Sequence, residues 1–136
     1  MIFDHLANID WLAVVIATVA YFVIGSLWYA NFLFGKQYRA AIGQEEGGAP
    51  AAGPIVINLV AWFIAATALA WFFAAIGVND VLDGALWGLV AAIGFIGTNR
   101  VTGQAYGADN PKLMRINGPY TLIGFAVMGA ILASMA

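Results

Sequence analysis

Four apolar runs dominate this chain, at about residues 11–34, 54–76, 84–104 and 117–136, and each exceeds 18 residues without alternation of apolar and polar positions. A helix rises about 1.5 Å per residue, so about 20 residues cross the roughly 30 Å hydrocarbon core of a bilayer. Lipid offers no partner to backbone N–H and C=O groups, so a run of this length is expected to be a helix that satisfies its own backbone. A barrel strand would be about 10 residues of alternating character, which does not fit these runs. Composition points the same way: 9% of the residues are charged, against roughly 25% in soluble domains. The expected fold is all-α, a bundle of four transmembrane helices in one integral membrane domain over residues 1–136.

The ends of the runs carry punctuation. Ile2, Phe3, Leu6 and Ile9 share one helical face, opposite Asp4, His5 and Asn8, which suits a short interfacial helix or a frayed terminus. Trp11 at one end of the first span, and Trp28 with Tyr29 at the other, are placed as an aromatic belt. Residues 35–39 are expected to continue that helix into water, before the flexible loop GQEEGGAPAAG at 43–53. Pro54 is suited to the first turn of the second span. Gly77 is a candidate C-cap for it, and Asp83 a candidate cap for the third. Pro119 either kinks the fourth helix or marks its start; the start is favoured.

Charge indicates sidedness. Lys36 and Arg39 follow the first span, and Arg100, Lys112 and Arg115 surround the turn between the third and fourth. No Lys or Arg occurs before the first span, between the second and third, or after the fourth. By the positive-inside rule the basic turns are cytoplasmic and both termini face outward. The first ten residues hold Asp4 and Asp10 and no basic residue, unlike a signal peptide, so the first span is expected to stay in the mature protein. These features suit a multi-pass membrane protein.

Helices in lipid associate where small side chains permit close approach. Gly84, Gly88 and Ala92 form such a stripe on the third span; Ala61 with Ala65, Ala66 with Ala70, and Gly129 with Ala133 are weaker examples. Contacts within the bundle, or with another subunit, would both use them.

The polar side chains gather toward the basic end: Tyr29, Asn31, Asn58, Thr98, Asn99, Arg100, Asn117, Tyr120 and Thr121. Of these, Tyr29, Asn58, Asn99, Arg100, Asn117 and Tyr120 are the candidate ligand-binding residues, with Arg100 the one fixed charge. Three readings of Arg100 stand open: snorkelling to headgroups, binding an anionic headgroup or small anion beside Asn58, Asn99 and Asn117, and pairing with Asp109, Glu45 or Glu46. There is no cysteine, the single histidine is the terminal His5, and the only serines are Ser26 and Ser134. No nucleophile–base pair can be proposed from that inventory, thiolate metal sites are excluded, a lone terminal histidine reads as an interface residue, no cofactor is expected, and no carboxylate lies inside a span to relay protons. An enzyme is not expected, and no basic block suggests nucleic acid.

The segments GSLWYANFLFGKQY, GFIGTNRV, KLMRINGPYTLIGF and MGAILA resemble the bacterial domain-of-unknown-function family 1761. The resemblance rests on Gly25, Trp28, Tyr29, Phe34, Gly35, Lys36, Gly94, Phe95, Thr98, Asn99, Ile116, Asn117, Tyr120 and Gly129, and covers the chain after its first ten residues. Gln37-Tyr38, where the family often has a small residue and Trp, and Pro119 depart from the pattern. The resemblance implies a small integral membrane protein, expected in a bacterial inner membrane, and brings no activity with it. The function expected from the sequence is a non-enzymatic accessory or scaffold subunit, contacting lipid and packing on itself as a homo-oligomer or on a partner membrane protein. An oligomeric small-solute or anion carrier, or a lipid-headgroup binder, is the alternative.

Overall fold

The computed structural model describes residues 1–30, 33–42, 52–107 and 110–136. The chain forms a short 3-10 helix (Ile2–Asn8), then α1 (Trp11–Trp28), α2 (Gly35–Ile42), α3 (Ala52–Ile76), α4 (Val81–Ala91), a π-helical segment (Ala92–Gly97), α5 (Thr98–Ala105) and α6 (Pro111–Ser134). Four helices are long and apolar enough to cross a membrane: Trp11–Trp28, Gly53–Ile76, Val81–Ala105 (α4 through α5) and Pro111–Ser134. The protein is a multi-pass helical membrane protein. Asn31, Glu45, Glu46, Asp109 and most of the 43–53 loop lie outside the described residues.

Several ends differ from the sequence expectation, each for a local reason. α1 stops at Trp28, and Phe34 N–H donates to Trp28 O (3.0 Å) and Gly35 N–H to Ala30 O (3.0 Å) ahead of the next helix. α2 is therefore a separate helix. The third span is capped by Asp80, not Asp83: the Asp80 carboxylate accepts from the Asp83 N–H at 3.2 Å. The fourth span starts at Pro111, where Asn110 accepts from Lys112 N–H at 2.9 Å, and Pro119 lies inside it. A residue before proline resists the α conformation because its N–H and Cβ meet the proline ring; Gly118 has no Cβ, which removes part of that clash, and the helix runs through. Gly77 does close α3, with φ of 77° and with Gly77 and Val78 N–H groups both donating to Phe73 O (2.8 and 3.1 Å).

The spans pack in the lateral order α3, α1, α6, α4, so α1 and α6 are central, while α3 and α4 are not packed on each other. Half of α6's apolar window is buried within the protein, against 17% for the third span. The closest approach is between α4 and α6. A Cβ on Gly84 would overlap the Gly129 backbone and the Ala133 side chain, and one on Gly88 would overlap the Phe125 carbonyl. The Gly84–Gly88–Ala92 stripe and Gly129 thus serve a contact within the chain. On α3 the inward pair is Ala66 and Ala70; Ala65 is half-buried and Ala61 exposed.

The 3-10 helix folds back on α3: the Trp71 indole N–H donates to Ile2 O at 2.7 Å, and Phe3 lies 5.9 Å from the Trp71 ring. Thr18, Ser26 and Thr67 each donate to the carbonyl four residues back, so their hydroxyls need nothing outside their own helices. Lys36, Arg39, Arg100, Lys112 and Arg115 all lie at one end of the bundle, and the described acids Asp4, Asp10, Asp80 and Asp83 at the other.

Candidate functional site

The site grows out of the break between α1 and α2. A Cβ on Gly35 would overlap the backbone of Tyr29 and Ala30, so the turn closes only on glycine. The closure lays the Phe34 ring on Trp28 (4.7 Å between centroids) and brings Tyr38 of α2 edge-on to Tyr29 (4.9 Å). Trp28 and Tyr29 then face the beginning of α6. The Trp28 indole N–H donates to Ile116 O at 2.9 Å, and the Tyr29 hydroxyl donates to Asn117 Oδ1. Trp28, expected at a lipid interface, is turned inward and half-buried.

Beneath this layer sits Tyr120, whose hydroxyl lies over Gly25 so closely that a Cβ there would come within 2.7 Å of it. Tyr29 meets Tyr120 edge-on at 5.2 Å. One layer deeper, the fully buried Tyr21 stacks on Trp62 of α3 (4.1 Å, 13°) and meets Tyr120 and Phe125 edge-on (5.0 and 5.9 Å). The two edge-on contacts have a favourable geometry for aromatic pairs. The Tyr21 hydroxyl lies near Thr121 and Tyr120 but makes no hydrogen bond of proper geometry to either. The result is a rigid aromatic plug joining α1, α3 and α6.

Of the candidate ligand-binding residues, the structure brings together Tyr29, Asn117 and Tyr120. Arg100 is half-buried and within electrostatic reach of Tyr21 and Tyr29. Asn58 and Asn99 are exposed on α3 and α5, and among the described residues no side-chain hydrogen bond ties them to Tyr29, Asn117 or Tyr120. Sequence reasoning did not single out Tyr21 or Trp62 for the cluster. The available signal was a phenol at the centre of an otherwise apolar span, which must be buried among neighbours or left in hydrocarbon.

A second feature flanks the plug. The π-helical segment and α5 diverge from α6, leaving a groove of about 310 Å³ lined by Ile93, Ile96, Val101, Met114, Gly118 and Leu122, among others. Arg100, Thr98 and Thr121 supply its polar groups. A π turn widens a helix by one residue per turn and is frequent at functional sites. Gly118 leaves open space where a side chain would stand.

Chemically, the cluster offers phenols, an indole, an amide and one cation; Tyr29 pairs with Asn117, Trp28 with the Ile116 carbonyl, and the Tyr21 hydroxyl has no hydrogen bond. The residues that carry the family resemblance form much of it: Gly25, Trp28, Tyr29, Phe34, Gly35, Ile116, Asn117 and Tyr120 come from segments about 90 positions apart and are in mutual contact. No curated protein and no solved structure matches the chain. The family model described as "protein of unknown function (DUF1761)" matches residues 12–133, nearly the whole chain, and the protein belongs to that family.

Proposed function

We propose that this protein is a non-enzymatic accessory or scaffold component of a bacterial inner membrane, with the basic end cytoplasmic and both termini outside. The observation that carries the reading is the lateral order of the spans. α3 and α4 flank a central pair, and their outer faces present Ile57, Ile64, Phe72, Leu86, Trp87 and Val90, all exposed. The centre is filled by the Tyr21–Trp62–Tyr120–Phe125 plug, which leaves the interior to packing and puts interaction on the flanks. Lipid tails or helices of another protein, including a second copy of this chain, suit such faces. A carrier reading finds less support, because Asn58 and Asn99 are exposed and do not line the groove beside Arg100.

The test is a native mass measurement of the protein extracted from its membrane in mild detergent, with crosslinking from single cysteines at Ile64 and Leu86. A defined oligomer, or a stoichiometric membrane partner crosslinked at those sites, is expected. A strict monomer without crosslinks overturns the reading.

A further inference from the structure

We infer that the groove between the third span and α6 is a binding site for one anionic phospholipid, with an acyl chain along the π segment and the phosphate on Arg100. The groove runs from Ala92 to Val101, about 14 Å of helix, and its volume of about 310 Å³ falls at the lower end of the roughly 300–1,000 Å³ found for small-ligand sites. Its wall is almost wholly hydrocarbon, which excludes a polar solute and suits an alkyl chain. It opens beside the bundle, where lipid is the solvent.

The polar end selects the headgroup. Thr98 Oγ1 donates to Gly94 O at 2.8 Å, and Thr121 Oγ1 donates to Asn117 O at 2.9 Å, so both hydroxyl protons are already used. Arg100 is half-buried and makes no hydrogen bond or ion pair among the described residues. It is the one uncommitted donor on the groove. A guanidinium partly withdrawn from water favours a bidentate anion such as phosphate. Lys112 and Arg115, on either side of the groove residue Met114, add positive charge at the same end, where the sequence places five basic residues against the three acids Glu45, Glu46 and Asp109. That field attracts a net-negative headgroup and disfavours the ammonium of a zwitterionic one.

The experiment is native mass spectrometry of the full chain delipidated in mild detergent, then titrated with phosphatidylglycerol or with phosphatidylcholine of identical acyl chains. Wild type is expected to retain one phosphatidylglycerol at least fivefold more readily than phosphatidylcholine. Arg100→Gln is expected to bring that ratio near one, whereas Lys36→Gln, at the same end but off the groove, leaves it unchanged. Ile93→Trp, which fills an already lipid-exposed position on the groove, is expected to lower retention of phosphatidylglycerol while thermal stability holds. Equal retention of the two lipids by wild type, an undiminished ratio in Arg100→Gln, or displacement of the lipid by equimolar inorganic phosphate each overturns the assignment. Oligomeric state does not enter this readout, so it stands or falls separately from the scaffold reading.

Discussion

The Tyr29 hydroxyl donates to the Asn117 side-chain oxygen across 88 positions of sequence, tying the end of the first span to the start of the fourth. Hydrogen bonds between membrane helices contribute about 0.6 kcal/mol on average and up to about 1.7 kcal/mol. Tyr29→Phe and Asn117→Ala should therefore each destabilise the protein, and their effects should be non-additive. A double-mutant cycle in mixed-micelle unfolding measures the coupling, with an expected value of about 0.5–1.5 kcal/mol. Strict additivity would show that the pair does not act as a staple.

Tyr21 should behave in the opposite way. Its hydroxyl is buried without a hydrogen bond, while its ring makes three aromatic contacts. Removing an unsatisfied buried hydroxyl and keeping the ring relieves a desolvation cost. Tyr21→Phe is expected to leave stability unchanged or raise it by about 1 kcal/mol in the same assay, and Tyr21→Ala to lower it by roughly 3–5 kcal/mol, as for other large aromatic truncations.

The α4–α6 contact depends on missing side chains. Gly88→Leu places atoms on the Phe125 carbonyl, so the two helices must separate. The expected loss is at least about 2 kcal/mol, toward the upper part of the range for overpacking. Gly94→Ala, in the same span but with nothing within 4 Å of the added carbon, should be neutral or gain roughly 0.5–1 kcal/mol. Comparing the two variants separates a packing requirement from a general intolerance of change in the span.

Sidedness can be read with single cysteines, since the chain has none of its own. Cysteine at Lys112 is expected to react with an impermeant thiol reagent only after the cells are opened. Cysteine at Leu82, exposed at the acidic end, should react in intact cells. The reverse pattern would place the basic end outside and contradict the charge rule.

Much of the architecture was legible in the residues because the bilayer constrains it so heavily. Apolar length requires helices, the absence of water requires each to satisfy its own backbone, and loop charge suggests a side. The local turn chemistry was readable where a residue acts alone, as Gly77 does with its positive φ. It was misread where neighbours compete. Asp80 and Asp83 can both cap a helix, and only one sits where the chain enters. Pro119 by itself reads as a beginning, but Gly118 before it eases its entry into a helix and Asn110-Pro111 supplies a cap and first turn further upstream.

The sequence by itself thus determined a membrane-spanning helical protein, its polar end and the residues worth watching there. Only the tertiary structure decided which of those residues meet. Apolar faces look alike in lipid, so periodicity does not say how far each helix is rotated about its axis or which helix lies next to which. The glycine contacts of α4 with α6 and the aromatic stack of α1 on α3 set both, and with them the pairing of Tyr29 with Asn117 and the exposure of Asn58 and Asn99.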